Sequence, residues 1–93
     1  MQELEIKEPE DWHKVKNILR LRCFEFPQFI HDYNKMCTSI EIKIKDLCMI
    51  DIDIKRHNDS IYYKQLRKNK ILEINDTIKT FSKILLVATL SKR

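Results

Sequence analysis

Residues 26–54 read FPQFIHDYNKMCTSIEIKIKDLCMIDIDI, and the fold turns on which of two periods governs them. Stepping by three or four gives Phe26, Ile30, Tyr33, Cys37, Ile40, Ile44, Leu47, Asp51 and Ile54. All but Asp51 are apolar or aromatic, which is the seam that packs helices into bundles and coiled coils. The rival pattern has period two. Ile40-Glu41-Ile42-Lys43-Ile44 and Ile50-Asp51-Ile52-Asp53-Ile54 alternate as half-buried strands do. The helical reading explains the whole stretch with one seam, whereas the strand reading leaves that seam as coincidence.

Composition favours the helix. The chain contains no glycine, the residue on which tight hairpins, helix C-caps and phosphate-cradling loops rely for positive φ. Long helices broken at Asn or Asp need none. The same absence removes the P-loop and the dinucleotide-binding fingerprint.

Outward from this stretch, Pro9 suits a first helical position, and Glu10 and Asp11 complement the positive end of a helix dipole. Trp12, Val15, Ile18, Leu19, Cys23 and Phe26 then mark the apolar face of a first helix. Pro27 forces Phe26 out of helical geometry, so this helix ends near Glu25 and a second begins at Pro27. The second runs to about His57. Ile42, Met49, Ile50 and Ile52 lie off its seam, so it needs cover on more than one side. His57-Asn58-Asp59-Ser60 is the break, with Asn58 suited to a left-handed cap and Asp59 or Ser60 to an N-cap. A third helical region follows to about Leu90, with Ile71, Ile74, Ile78, Phe81, Leu85 and Ala88 as its seam. Ile61, Tyr62 and Leu66 are out of phase with that seam, which calls for a stutter or kink near Lys68-Asn69-Lys70, or a separate last helix from Asn75-Asp76-Thr77.

The expected architecture is therefore all-α: a short N-terminal helix and two longer ones forming an antiparallel, coiled-coil-like hairpin or three-helix bundle. The alternative is α+β, with strands over 39–45, 49–55, 61–66 and 70–74 as a central antiparallel meander before a C-terminal helix. Ninety-three residues make one domain over 1–93, with residues 1–8 expected as a loose N-terminal tail.

No catalytic, cofactor-binding or metal motif stands out, and none is expected. The spacing of His13, Cys23, His31, Cys37, Cys48 and His57 contains no C-x-x-C and no H-x-x-x-H, so the cysteines read as small core residues. Three cysteines form no disulfide framework, which points to a reducing, intracellular compartment, cytoplasmic or nuclear. No apolar run reaches the roughly 20 residues of a membrane span. On a helix Asp51 and Asp53 point about 200° apart and cannot chelate one ion, so Asp51 reads as a polar seam residue that fixes register.

Charge is uneven: residues 1–54 carry 8 Lys and Arg against 11 Asp and Glu, and residues 55–93 carry 10 against 3. Two roles follow. The first is a non-enzymatic scaffold or adaptor subunit that assembles with itself or a partner protein through an apolar helical seam, at Ile44, Leu47, Ile54, Ile78, Phe81 and Leu85. The second is a small basic nucleic-acid-binding or regulatory or inhibitor protein using residues 62–70, in which Lys64, Arg67, Lys68 and Lys70 track phosphates and Tyr62 and Tyr63 stack on bases.

Overall fold

A computed structural model describes residues 4–57 and 60–91, and all three α-helices among them follow the expected order. Helix α1 spans Asp11–Cys23, α2 spans Ile30–Arg56 and α3 spans Ile61–Ser91. No strand occurs among the described residues, so the meander reading fails. Its alternating segments 39–45 and 49–55 lie inside α2, and 61–66 and 70–74 inside α3. The alternation leaves a different trace: Ile40 is buried and Ile44 half-buried, while Ile42 and Ile52 stand on the exposed flanks of α2.

The entry to α1 is tighter than its sequence suggests. Successive i→i+3 bonds run from Asp11, Trp12 and His13 N–H to the carbonyls of Glu8, Pro9 and Glu10. Pro9 thus opens a 3₁₀-like turn, and the α-helix starts two residues later. Asp11 Oδ2 accepts from the N–H groups of both Lys7 and Glu8 at 2.9 Å, which satisfies donors that a helix start leaves unpaired. Those two bonds hold the Asp11 carboxyl below the usual carboxylate range. At the other end, Phe26 leaves helical geometry (φ −135°, ψ 71°) as Pro27 requires, and Pro27–Phe29 forms one 3₁₀ turn into α2.

Helix α3 is continuous from Ile61 to Ser91. The separate last helix at Asn75-Asp76-Thr77 does not form; Thr77 and Thr80 return their hydroxyls to the carbonyls of Glu73 and Asp76, inside the helix. The break between α2 and α3 falls at the expected place, but Asn58 and Asp59, with the capping expected of them, lie outside the described residues.

Helices α2 and α3 form an antiparallel hairpin, and α1 folds back along the N-terminal half of α2. The core joins Trp12, Val15, Leu19 and Cys23 of α1 to Tyr33, Met36, Cys37, Ile40 and Leu47 of α2 and to Ile74, Ile78, Phe81 and Leu85 of α3. All of it lies at the end of the hairpin that α1 covers. The molecule is long, 53 × 21 × 16 Å, with a radius of gyration of 15.2 Å where a compact chain of this length has about 12 Å.

Candidate functional site

The N-terminal segment is the first departure from the sequence reading. Residues 4–8 are not a loose tail, and residues 1–3 lie outside the described residues. Ile6 is fully buried, Leu4 packs against the core, and the Ile6 backbone is gripped by Asn75 on α3. The Ile6 N–H donates to Asn75 Oδ1 at 2.7 Å, and Asn75 Nδ2 donates to the Ile6 carbonyl at 2.9 Å. One amide side chain thus pairs both polar groups of a buried residue, as a backbone neighbour would in a sheet. One and two residues on, Arg67 Nη2 donates to the Lys7 carbonyl (3.3 Å) and the Glu8 carboxylate (2.7 Å).

Arg67 also donates through Nε to Asp51 Oδ1 at 2.7 Å. This joins the one polar residue of the α2 seam to α3 and, through Arg67, to the N-terminal strap of residues 4–8. A second polar link holds α1 to α2. Glu41 Oε2 accepts from Lys16 Nζ at 2.7 Å and from Trp12 Nε1 at 3.1 Å. The Lys16 bond, then the Trp12 bond, holds the Glu41 carboxyl below its ordinary range, and the same pairing raises Lys16. Both links sit at half-exposed positions, where screening keeps their net worth small.

The stretch expected to contact nucleic acid is spread around α3, because residues 62–70 sample most of the helix circumference. Arg67 faces Asp51 and Glu8, and Lys70 lies 3.9 Å from Asp46 and 3.7 Å from Glu73. Tyr63 stacks on His57 with ring centroids 5.2 Å apart, and Tyr62 meets Tyr63 edge-on. Lys64 and Lys68 are exposed. Three of the six side chains therefore face their own hairpin, and the six form no continuous strip.

Of the residues expected at an interface, Leu47, Ile78, Phe81 and Leu85 are buried in the chain's own core, while Ile44 and Ile54 are half-buried. The seam closes on itself over its first half. Its second half does not: from Cys48 to His57 and from Ser60 to Glu73, no described side chain is buried. This distal arm is a two-helix projection held by the Asp51–Arg67 pair and the aromatic stack. It exposes Met49, Ile52, Ile61 and Tyr62, the last two at 84% and 67%.

Helix α1 and the strap cover one face of the hairpin, leaving the opposite face open. Near the α1 end of that open face, a groove of about 290 Å³ lies between α2 and α3. Phe29, Met36, Phe81 and Ile84 supply its apolar lining, and Asp32 and Asp76 its carboxylates. Sequence reading missed this groove and the strap. Met36 and Ile84 fall off both seams, and Asn75 reads as a helix breaker.

Burial pushes the Cys23 and Cys37 thiols up, away from the nucleophilic thiolate, and Cys48 is exposed rather than in the core. Among the described residues, no group of three or more His, Cys, Asp or Glu side chains could hold a metal ion, and no helix is long and apolar enough to cross a membrane. Compared with known protein families, curated proteins and solved structures, the chain shows no significant match to any of them.

Proposed function

We propose that this chain is a non-enzymatic assembly subunit, a scaffold or adaptor that joins itself or a partner protein through apolar helix faces that its own fold leaves open. The observation that carries this reading is the distal arm. Two paired helices with no buried side chain among the described residues from Cys48 to Glu73 are marginal in water unless another surface covers them. The chain's total surface agrees: a compact monomer of 11.3 kDa exposes roughly 5,700 Å², whereas this one exposes 6850 Å². Because Leu47, Ile78, Phe81 and Leu85 are occupied within the core, the docking surface moves to the flank that carries Ile50, Ile54, Leu66 and Ile84.

The test is site-specific photo-crosslinking in the cells that make the protein, with a photoreactive residue in turn at Ile50, Leu66, Ile84 and, as a control, Lys14 on the solvent side of α1. Adducts at the three apolar positions and none at Lys14 are expected. Absence of adducts at all three refutes the assembly role, whatever the partner.

A further inference from the structure

The N-terminal strap lies on α3 as a bound peptide lies on a receptor. Burial alternates along it: Leu4 is half-buried, Glu5 exposed, Ile6 buried and Lys7 exposed. Side chains turned alternately in and out are the pattern of an extended chain laid on a surface. The Asn75 amide pairs both the N–H and the C=O of Ile6, at 2.7 and 2.9 Å, where a residue on a sheet edge would exchange the same two bonds. We propose that this face of α3 is a peptide-binding site, filled in cis by residues 4–8. In exchange for them it takes an extended segment of a partner protein, with a branched aliphatic residue at the Ile6 position and a carboxylate two residues on. The site is on the covered side of the hairpin, so it does not rest on the open flank of the assembly reading.

Three features define what the site accepts. Asn75 reads main chain, so it is indifferent to the side chain but requires an N–H, which bars proline at that position. The space behind it takes one aliphatic side chain: Ile6 is fully buried and belongs to the core cluster that includes Trp12, Val15 and Ile74. Arg67 supplies charge selection. Its Nε donates to Asp51 at 2.7 Å, a bond made within the hairpin, which aims the guanidinium independently of the strap. Its Nη2 donates to the Lys7 carbonyl at 3.3 Å and to the Glu8 carboxylate at 2.7 Å. Main-chain bonds that give affinity, with side-chain sites that give specificity, are how sheet edges recognise extended peptides. Here a helix offers the same two elements through one amide and one guanidinium.

The strap is attached in a way that permits exchange. It lies outside every helix and joins the fold through the single turn from Glu8 to Asp11. The three helices hold one another without it: Glu41 ties α1 to α2 through Lys16 and Trp12, and the shared core joins both to α3. Its departure therefore leaves the frame standing, with Asn75 and Arg67 Nη2 facing the vacated site. The strap also leaves one polar group unanswered. Ser82, seven residues beyond Asn75 on the same face of α3, has a buried hydroxyl with no hydrogen-bond partner among the described residues. From Glu8 to Ile6 the strap runs from Arg67 to Asn75, which is the direction of Ser82. An occupant that places a polar group there gains a hydrogen bond. While the strap is seated, a partner's apparent affinity falls by the fraction of chains whose site is open, so residues 4–8 are a built-in competitor.

The probe is a synthetic peptide copying residues 1–8, with a fluorophore beyond its C-terminus, read by fluorescence anisotropy against the full-length chain. Ile6→Ala in the chain loosens its own strap and leaves space that the probe's isoleucine fills. The probe should then bind this variant at least about tenfold tighter than the parent chain. A probe N-methylated at Ile6 keeps the side chain but cannot donate to Asn75, and should lose about tenfold or more. A probe with Glu8→Lys should lose as much, and Arg67→Met added to the Ile6→Ala chain should erase that preference for the acid. Circular dichroism checks that each variant keeps the parent's helix content. Where Ile6→Ala unfolds the chain, Glu8→Lys in the chain takes its place under the same criteria, since it releases only the Arg67 contact. A folded release variant that binds no probe at millimolar concentration overturns the proposal, as does binding that the N-methyl group and Glu8→Lys in the probe leave untouched. A parent chain that dimerises and is returned to monomer by free probe would make the second copy's strap the occupant and overturn the partner protein. Failure of the probe leaves the photo-adduct test of the assembly reading unaffected.

Discussion

Replacing Ile6 by Ala tests whether the N-terminal strap belongs to the cooperative fold. Ile6 is fully buried, and its backbone N–H and C=O are both bonded to Asn75. The substitution removes three carbon atoms from an enclosed site, which at about 0.8 kcal/mol each costs roughly 2.5 kcal/mol of transfer free energy. Incomplete collapse of the cavity raises this toward about 4 kcal/mol. A domain of this size has a total stability of about 5–14 kcal/mol. The melting temperature should then fall by about 10–30 °C, at about 4–8 °C per kcal/mol. Urea denaturation followed by circular dichroism and by Trp12 fluorescence measures it, and both signals should move together, since Trp12 shares the core with Ile6. A loss below about 1 kcal/mol, or a Trp12 transition separate from that of the helices, would show that residues 4–8 lie outside the folding unit and would refute the reasoning.

Three further outcomes follow from the polar contacts. Asn75→Asp keeps an acceptor for the Ile6 N–H but sets an oxygen against the Ile6 carbonyl, so it should cost about 1–3 kcal/mol in chemical denaturation, with Ile6 exchange sharply increased. A double-mutant cycle of Arg67→Met with Asp51→Leu should give a coupling of about 1 kcal/mol, because the pair is well aligned but partly solvated; zero coupling would remove Asp51 as a register residue. Glu41 and Asp11 both have folded-state carboxyls held below the ordinary range, Glu41 by Lys16 and Trp12 and Asp11 by the Lys7 and Glu8 amides. The stability they contribute is present above their unfolded-state values and is lost as pH falls through the lower folded-state values. The urea midpoint should therefore fall on acidification through the carboxylate range, and Glu41→Gln should flatten that fall.

The α2 seam was legible because helical packing repeats. Tyr33, Cys37, Ile40 and Leu47 recur at three- and four-residue intervals, and each is buried as that spacing requires. The period-two runs mislead for a physical reason: isoleucines at 40, 44 and 54 satisfy a helix stripe and a strand face at once, and only the flanking seam separates them. What periodicity cannot report is a contact made once. Asn75 meets Ile6 across 69 residues through a single amide, and nothing in the local pattern of either residue announces it. The groove is hidden similarly. Phe29 comes from the 3₁₀ turn, Met36 from α2, and Asp76 and Ile84 from α3, so its lining exists only once the hairpin has closed. A clean seam such as Ile78-Phe81-Leu85 reads the same whether its cover comes from the same chain or another, and here the same chain supplies it. The basic stretch was legible as charge, but not as charge already facing Asp51, Glu8 and Asp46.

The central claim is that the arm from Cys48 to Glu73 has no core of its own and acquires one by assembly. Hydrogen–deuterium exchange of the pure chain across a hundredfold concentration range tests it most directly, because amide protection reports local stability segment by segment. At the lowest concentration the arm should exchange well ahead of residues 33–47 and 74–85. It should then gain protection of about tenfold or more once cover is supplied, by a second copy as concentration rises or by a photo-crosslinked partner protein added to the chain. Arm protection equal to that of the core and unchanged by concentration would contradict the account.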